Sequence, residues 1–137
     1  MTTVMAVTYF EDTQLNHVVT SPAITLTEGH VSLYGGLTGD ALDDPTLVPD
    51  GLLICISTGL GWRVDRPPLA VMAFMSLEWQ PIRTLRIGDT IFGRSRVATR
   101  RTMRDGGVVI EEHELIDQRE QVVARGRFTF LVARRPA

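Results

Sequence analysis

Asp40, Asp43, Asp44 and Asp50 crowd one short stretch, and His30 precedes them. Carboxylates and an imidazole are the side chains that move protons near neutral pH, so general acid–base chemistry comes first. Two carboxylates forced together in an apolar mouth raise one pKa, which would give this stretch an acid beside a base. The bland alternative makes Asp43, Asp44 and Asp50 solvated turn acids, with Asp40, after Gly39, a turn or cap carboxylate. His30 reads either as a solvent-facing residue or as a substitute base, and its place at a helix start favours the neutral ring. His17 and His113 stand in strand-like or loop contexts remote from this stretch and read as structural or surface residues. Cys55 reads as core packing. No cluster has metal-ligand spacing, no glycine-rich phosphate loop follows a strand, and no Gly-x-Ser-x-Gly elbow is present. No cofactor is expected.

The elements that would position these residues follow from periodicity. Thr27 is an N-cap candidate, and Val31, Leu33, Tyr34 and Leu37 follow at helical spacing, which predicts a short helix from Thr27 to Leu37. Asp50 to Trp62 is apolar nearly all round, so a helix there must be covered on most sides. From Val71 onward the period falls to two. Val71, Ala73, Met75, Leu77 and Trp79 fall at period-two spacing and make one apolar face, and Val122 to Val132 does the same. Between them, Thr90–Arg104 and Val108–Asp117 flank Asp105-Gly106-Gly107, a hairpin signal. A further strand is expected over Val18–Leu26. One long helix before an antiparallel meander predicts an α+β hotdog fold, a curved sheet of about five strands wrapped around a central helix.

Bulk properties set the limits. At 137 residues the chain makes one domain, residues 1–137, and its 44% hydrophobic and 22% charged composition is that of a globular protein. The longest apolar run, Gly51 to Trp62, is far short of the roughly 20 residues that cross a bilayer, so no membrane partner is expected. Met1-Thr-Thr-Val-Met-Ala-Val carries no basic leader, and a single cysteine fits a reduced, cytoplasmic setting. Residues 1–62 hold no Lys or Arg, and all fourteen basic residues, every one Arg, lie from Arg63 onward. Such a half is either a solvated strand surface or a guanidinium-rich face for phosphate or an acidic partner. A pI of about 5.9 without aromatic–basic interleaving argues against nucleic acid.

Several segments, in order, resemble the MaoC-like dehydratases, which include the (R)-specific enoyl-CoA hydratases. Tyr9-Phe-Glu-Asp resembles that family's opening strand, and Thr25-Leu-Thr-Glu with Leu37-Thr-Gly-Asp resembles its first helix and active-site loop. Asp50-Gly-Leu-Leu is similar to the His-Gly-Leu-Leu start of its central helix. Pro81-Ile-Arg-Thr-Leu-Arg-Ile-Gly-Asp-Thr resembles its post-strand turn, Asp117-Gln-Arg-Glu-Gln-Val-Val-Ala-Arg-Gly its following hairpin, and Arg134-Arg-Pro its ending.

The resemblance implies a hydro-lyase acting on an acyl thioester, carried on CoA or on an acyl carrier protein. In the family an Asp-x-x-x-x-His pair places and activates water, and backbone N–H groups at the central helix start hold the thioester oxygen. Asp40 matches the aspartate and Gly51 the helix-start glycine, but Pro45 stands at the histidine position and the loop before Gly51 is shorter. Asp40 and His30 are the catalytic candidates; Gly51, Asp50, Tyr34 and Gly39 are the substrate-binding ones. Three functions stay open: hydration or dehydration, a catalytically silent partner subunit of an active hotdog hydratase, or another reaction on an acyl or polyketide-like substrate. The resemblance also implies a two-fold dimer through side-by-side sheets, as homodimer or heterodimer.

Overall fold

The computed structural model describes residues 6–137; the opening segment, expected to carry no leader, falls partly outside them. Two helices precede a long antiparallel meander. Helix α1 spans Glu28–Thr38 and α2 spans Asp50–Trp62. Strands β1 (Val18–Thr20) and β2 (Ile24–Thr25) come before α1, and β3 (Val71–Pro81), β4 (Thr90–Met103), β5 (Gly106–Asp117) and β6 (Val122–Val132) follow α2. The sheet order is β1-β4-β5-β6-β3, with β2 also on β4. Every strand pair is antiparallel.

Alternation puts Ile91, Leu115 and Ala124 on the inner face, where they pack with Leu53 and Leu60 of α2. The outer face carries the charge in cross-strand rows. Glu114 pairs with Arg94 at 3.0 Å and Arg125 at 3.5 Å, and Glu112 with Arg96 at 2.6 Å and Arg127 at 3.2 Å. The guanidinium-rich face is thus largely neutralised by its own glutamates.

The single strand expected over Val18–Leu26 is two short ones. Ser21 closes the first, its hydroxyl accepting from the Gly93 N–H at 2.8 Å, and Pro22 has no N–H to continue the ladder. The sheet therefore has six strands rather than five. Tyr9-Phe-Glu-Asp is no strand either, because Phe10–Asp12 forms a 3₁₀ turn whose Phe10 ring enters the core. The hairpin after β4 turns earlier than expected. Met103 pairs with Gly106, so Arg104-Asp105 is the loop and both glycines belong to β5. Their smallness serves packing: a Cβ on Gly107 would lie 2.0 Å from the Phe10 ring.

α2 also departs from expectation. Leu52, Leu53, Ser57 and Leu60 are buried, yet Cys55, Thr58, Gly59 and Trp62 face outward, so Cys55 is not core packing. One curved sheet covers one side of a helix. The uncovered stripe adjoins a second exposed apolar surface, edge strand β3, where Val71, Met72, Phe74, Met75 and Leu77 are all exposed. No helix among the described residues is long and apolar enough to cross a membrane.

Candidate active site

The site residues are brought together by the end of α1 and the start of α2. Thr27 caps α1, its hydroxyl accepting from the His30 N–H at 3.3 Å, while His30 Nδ1 accepts from the Thr27 N–H at 3.0 Å. This is a capping box in which the imidazole does the work of the usual Glu or Gln. Gly39 ends the helix in the left-handed region, at φ 73°, with its N–H on the Gly35 carbonyl. The chain reverses there and Asp40 folds back on the last turn. Its N–H donates to Thr38 Oγ1 at 3.0 Å, and its Oδ2 accepts from the Tyr34 hydroxyl at 2.7 Å.

Gly51 completes the group from α2. A Cβ there would lie 1.9 Å from the Tyr34 oxygen and 3.5 Å from Asp40 Oδ2, so the tyrosine hydroxyl rests against the glycine itself. The preceding Pro49 has no side chain able to cap a helix, and Leu52 and Leu53 N–H groups both turn back to its carbonyl. The N–H groups of Asp50 and Gly51 have no acceptor among the described residues. An open helix start with free N–H groups holds an oxyanion, favoured further by the helix dipole.

Tyr34 keeps its proton. The hydrogen bond to Asp40, then burial, then the negative charge of Asp40 all push its hydroxyl above the ordinary tyrosine range. The other carboxylate oxygen, Oδ1, has no partner among the described residues. The arrangement therefore offers a free carboxylate oxygen, a neutral hydroxyl donor and two free N–H groups at one exposed mouth.

Of the expected site residues, the structure brings together Asp40, Tyr34 and Gly51, with Gly39 as the turn that aims Asp40. Asp50 opens α2 with its side chain in solvent. His30 stands one turn before Tyr34 but makes no hydrogen bond to the group, because its Nδ1 accepts from the Thr27 N–H at the other end of α1. Asp44 is a turn acid, bonded to the Thr46 N–H and hydroxyl and 3.7 Å from Arg86, and Asp43 lies exposed beside it.

No family model and no curated relative matches the chain. Solved structures do. A MaoC-like dehydratase from Rhodospirillum rubrum superposes with a TM-score of 0.80 at 18% identity, over 94% of this chain and 99% of that one. An R-hydratase from Pseudomonas aeruginosa gives 0.77 at 10% identity, over 93% and 87%. A Mycobacterium tuberculosis protein with a double hotdog fold gives 0.80 at 21%, over 93% of this chain and 44% of that one. The chain is a hotdog protein. Its α2 is the helix around which such a sheet curls, and the Tyr34–Asp40–Gly51 group sits at that helix's N-terminal end.

A second polar group in this hotdog escaped the sequence reading. His113, expected to be structural or at the surface, points from β5 into the concave face with Glu111, two residues earlier. Glu111 Oε1 lies 3.2 Å from His113 Nε2, and Oε2 lies 3.2 Å from Arg66. Period-two spacing within β5 was the signal that could have placed both on the inner face. Burial alone raises the Glu111 carboxyl, but His113 and Arg66 outweigh it and hold it below the ordinary range. The folded protein thus binds this proton less tightly than the unfolded chain. The resulting stability is present above the ordinary glutamate value of 4.5 and is lost as pH falls through the lower folded value. Acid unfolding followed by circular dichroism should show a shallower pH dependence below 4.5 in Glu111→Gln, together with lower stability at pH 7.

Proposed function

We propose that the protein binds an acyl thioester with its carbonyl over the start of α2 and interconverts 3-hydroxyacyl and enoyl groups. The observation that carries this reading is the convergence of Asp40, Tyr34 and the uncapped turn at Gly51. In the dehydration direction, Asp40 Oδ1 takes the proton from the α-carbon, and the enolate oxygen gathers hydrogen bonds from the Asp50 and Gly51 N–H groups. The β-hydroxyl leaves with the Tyr34 proton as water. A half-turn of the protonated Asp40 carboxyl then presents the abstracted proton to the Tyr34 phenolate, so both groups are reset. Hydration is the same path reversed. Tyr34 takes the place that Pro45 leaves without an imidazole. The likeness in fold to a MaoC-like dehydratase and an R-hydratase supports the reading.

The deciding experiment incubates the purified protein with enoyl thioesters of several lengths, on CoA and on a carrier protein, and follows loss of the conjugated double bond. Turnover is expected. Tight binding without turnover would instead favour the silent partner subunit, a reading that the absence of any histidine from the Asp40 group supports.

Either reading requires a second hotdog. The exposed edge β3 presents unpaired backbone groups beside a row of large apolar side chains, and α2 leaves an apolar stripe uncovered. Pairing of β3 with its counterpart in a two-fold mate would cover both. Light scattering at micromolar concentration should give a mass near twice 15.2 kDa; a species at 15.2 kDa would count against the pairing.

A further inference from the structure

The outer face of the sheet, opposite α2, carries a groove of about 790 Å³ that runs across β4, β5 and β6. Its floor is main chain. Ser95, His113 and Gly126 lie in register across the three strands, and Ser95 and His113 turn their side chains to the inner face. The residues on either side of that row point outward and make two walls. Arg94, Glu114 and Arg125 form one, and Arg96, Glu112 and Arg127 form the other. Two residues along a strand separate the walls, about 7 Å. The groove thus shares no residue with the site at the start of α2.

Both walls are held in place by their own ion pairs. Each carboxylate oxygen of Glu112 and Glu114 faces one guanidinium, so every wall ties three strands together side chain to side chain. Arg96 is held further by Asn16 Oδ1 at 2.6 Å. Side chains already fixed lose little freedom when a ligand arrives. Within the groove the neutralisation is incomplete, because four guanidiniums share two carboxylates. Arg125 makes no hydrogen bond among the described residues, and Arg127 donates through Nη2 alone. Glu78, in register with Arg127 on the edge strand, makes no ion pair with it. Along the groove the charge therefore runs positive over β4, negative over β5 and positive over β6.

The geometry assigns this groove to a linear zwitterion, a small molecule with an anionic group at each end and an ammonium at its middle. One anionic end sits between Arg94 and Arg96, and the other between Arg125 and Arg127. The ammonium donates to Glu112 and Glu114. A gap of about 7 Å seats one carboxylate between two guanidiniums, and two strand spacings set the ends about 10 Å apart. The same pattern turns away other charged molecules. A polyanion would lay negative charge on the two glutamates, and a short diacid reaches only one pair of arginines. The groove's volume falls within the roughly 300–1,000 Å³ of small-molecule sites.

The test needs no thioester, so its outcome is independent of the proposed reaction. Azelate and 4,4′-iminodibutanoate are diacids of equal chain length that differ only at the centre, a methylene against an ammonium; glutarate is the short control. Each is titrated into the wild-type protein at low salt, and the Gly126 amide and the arginine Nε–H groups are followed by ¹H–¹⁵N NMR. The iminodiacid should bind roughly fivefold more tightly than azelate, and azelate several-fold more tightly than glutarate, the size of effect that exposed ion pairs give. Added salt should weaken all three. Replacing Arg125 and Arg127 together by Gln should erase the advantage of length, and Glu112→Gln with Glu114→Gln the advantage of the ammonium. Equal affinity of the two long diacids, equal binding of glutarate, shifts centred away from Gly126, or no binding of any probe would each overturn the assignment. These comparisons are made in the wild-type protein, so no variant has to fold for them to decide.

Discussion

Replacing Asp40 by Asn should lower turnover of a 3-hydroxyacyl or enoyl thioester by roughly 10²–10⁴-fold, the range for a lost general base, while the protein folds as before. The fold is insensitive because Asp40 is exposed and an amide oxygen still accepts from the Tyr34 hydroxyl and preserves the turn after Gly39. Only the basicity goes. Tyr34→Phe removes the proton destined for the leaving hydroxyl and should cost a comparable factor. Because one proton circulates between the two groups, their losses should not multiply, and the double variant should be little worse than the poorer single. Since Tyr34 is held above the ordinary tyrosine range, its ionisation should impose no alkaline fall in rate below that range. An Asp40→Asn protein with wild-type kcat/KM would remove the carboxylate from the chemistry altogether.

How much of this was legible beforehand differs sharply between backbone and site. Helix α2 was readable to its last residue, because Pro49 fixes its start and the apolar run ends at Trp62. The long strands were readable because one face of each is buried and alternation is then forced. Edge features were not. Pro22 split a strand, and the hairpin turn fell earlier than the Asp-Gly pair had marked, with both glycines joining β5 and Phe10 packed over Gly107. Covering α2 failed for a related reason: sequence shows that a helix is apolar, not whether its own chain has enough sheet to surround it.

At the site, residues close in sequence were the readable ones. Tyr34, Gly39 and Asp40 belong to one helix end, and the resemblance supplied Gly51 across the loop. His30 looked like the missing base because imidazole is the usual proton carrier, yet the helix start needed its ring as a cap. The Glu111–His113–Arg66 group joins β5 to a loop far away in sequence, and only the curl of the sheet over α2 brings Arg66 to it.

Gly51→Ala should cost roughly 10²-fold in kcat/KM with little loss of stability, because it disturbs positioning rather than packing. The added Cβ would lie 1.9 Å from the Tyr34 oxygen, so the tyrosine must leave its place and its bond to Asp40 must break. Stability is spared because Gly51 lies in the first turn of α2 and the half-buried Tyr34 can slide across that helix start without opening the core. The displaced ring would lie over the free N–H groups of the helix start and exclude the thioester carbonyl, raising KM as well as lowering kcat. Adding Tyr34→Phe separates the two effects. Without the hydroxyl, the nearest ring atom is Cζ, 3.0 Å from the new Cβ, a contact that a small ring shift relieves. The double variant should therefore bind acyl thioester better than Gly51→Ala alone while remaining as slow as Tyr34→Phe. Isothermal titration with a non-reactive thioester analogue reads the first, and steady-state kinetics the second. A Gly51→Ala protein with unchanged KM and kcat would place the acyl carbonyl away from this end of α2, and the assignment of Asp40 and Tyr34 would fall with it.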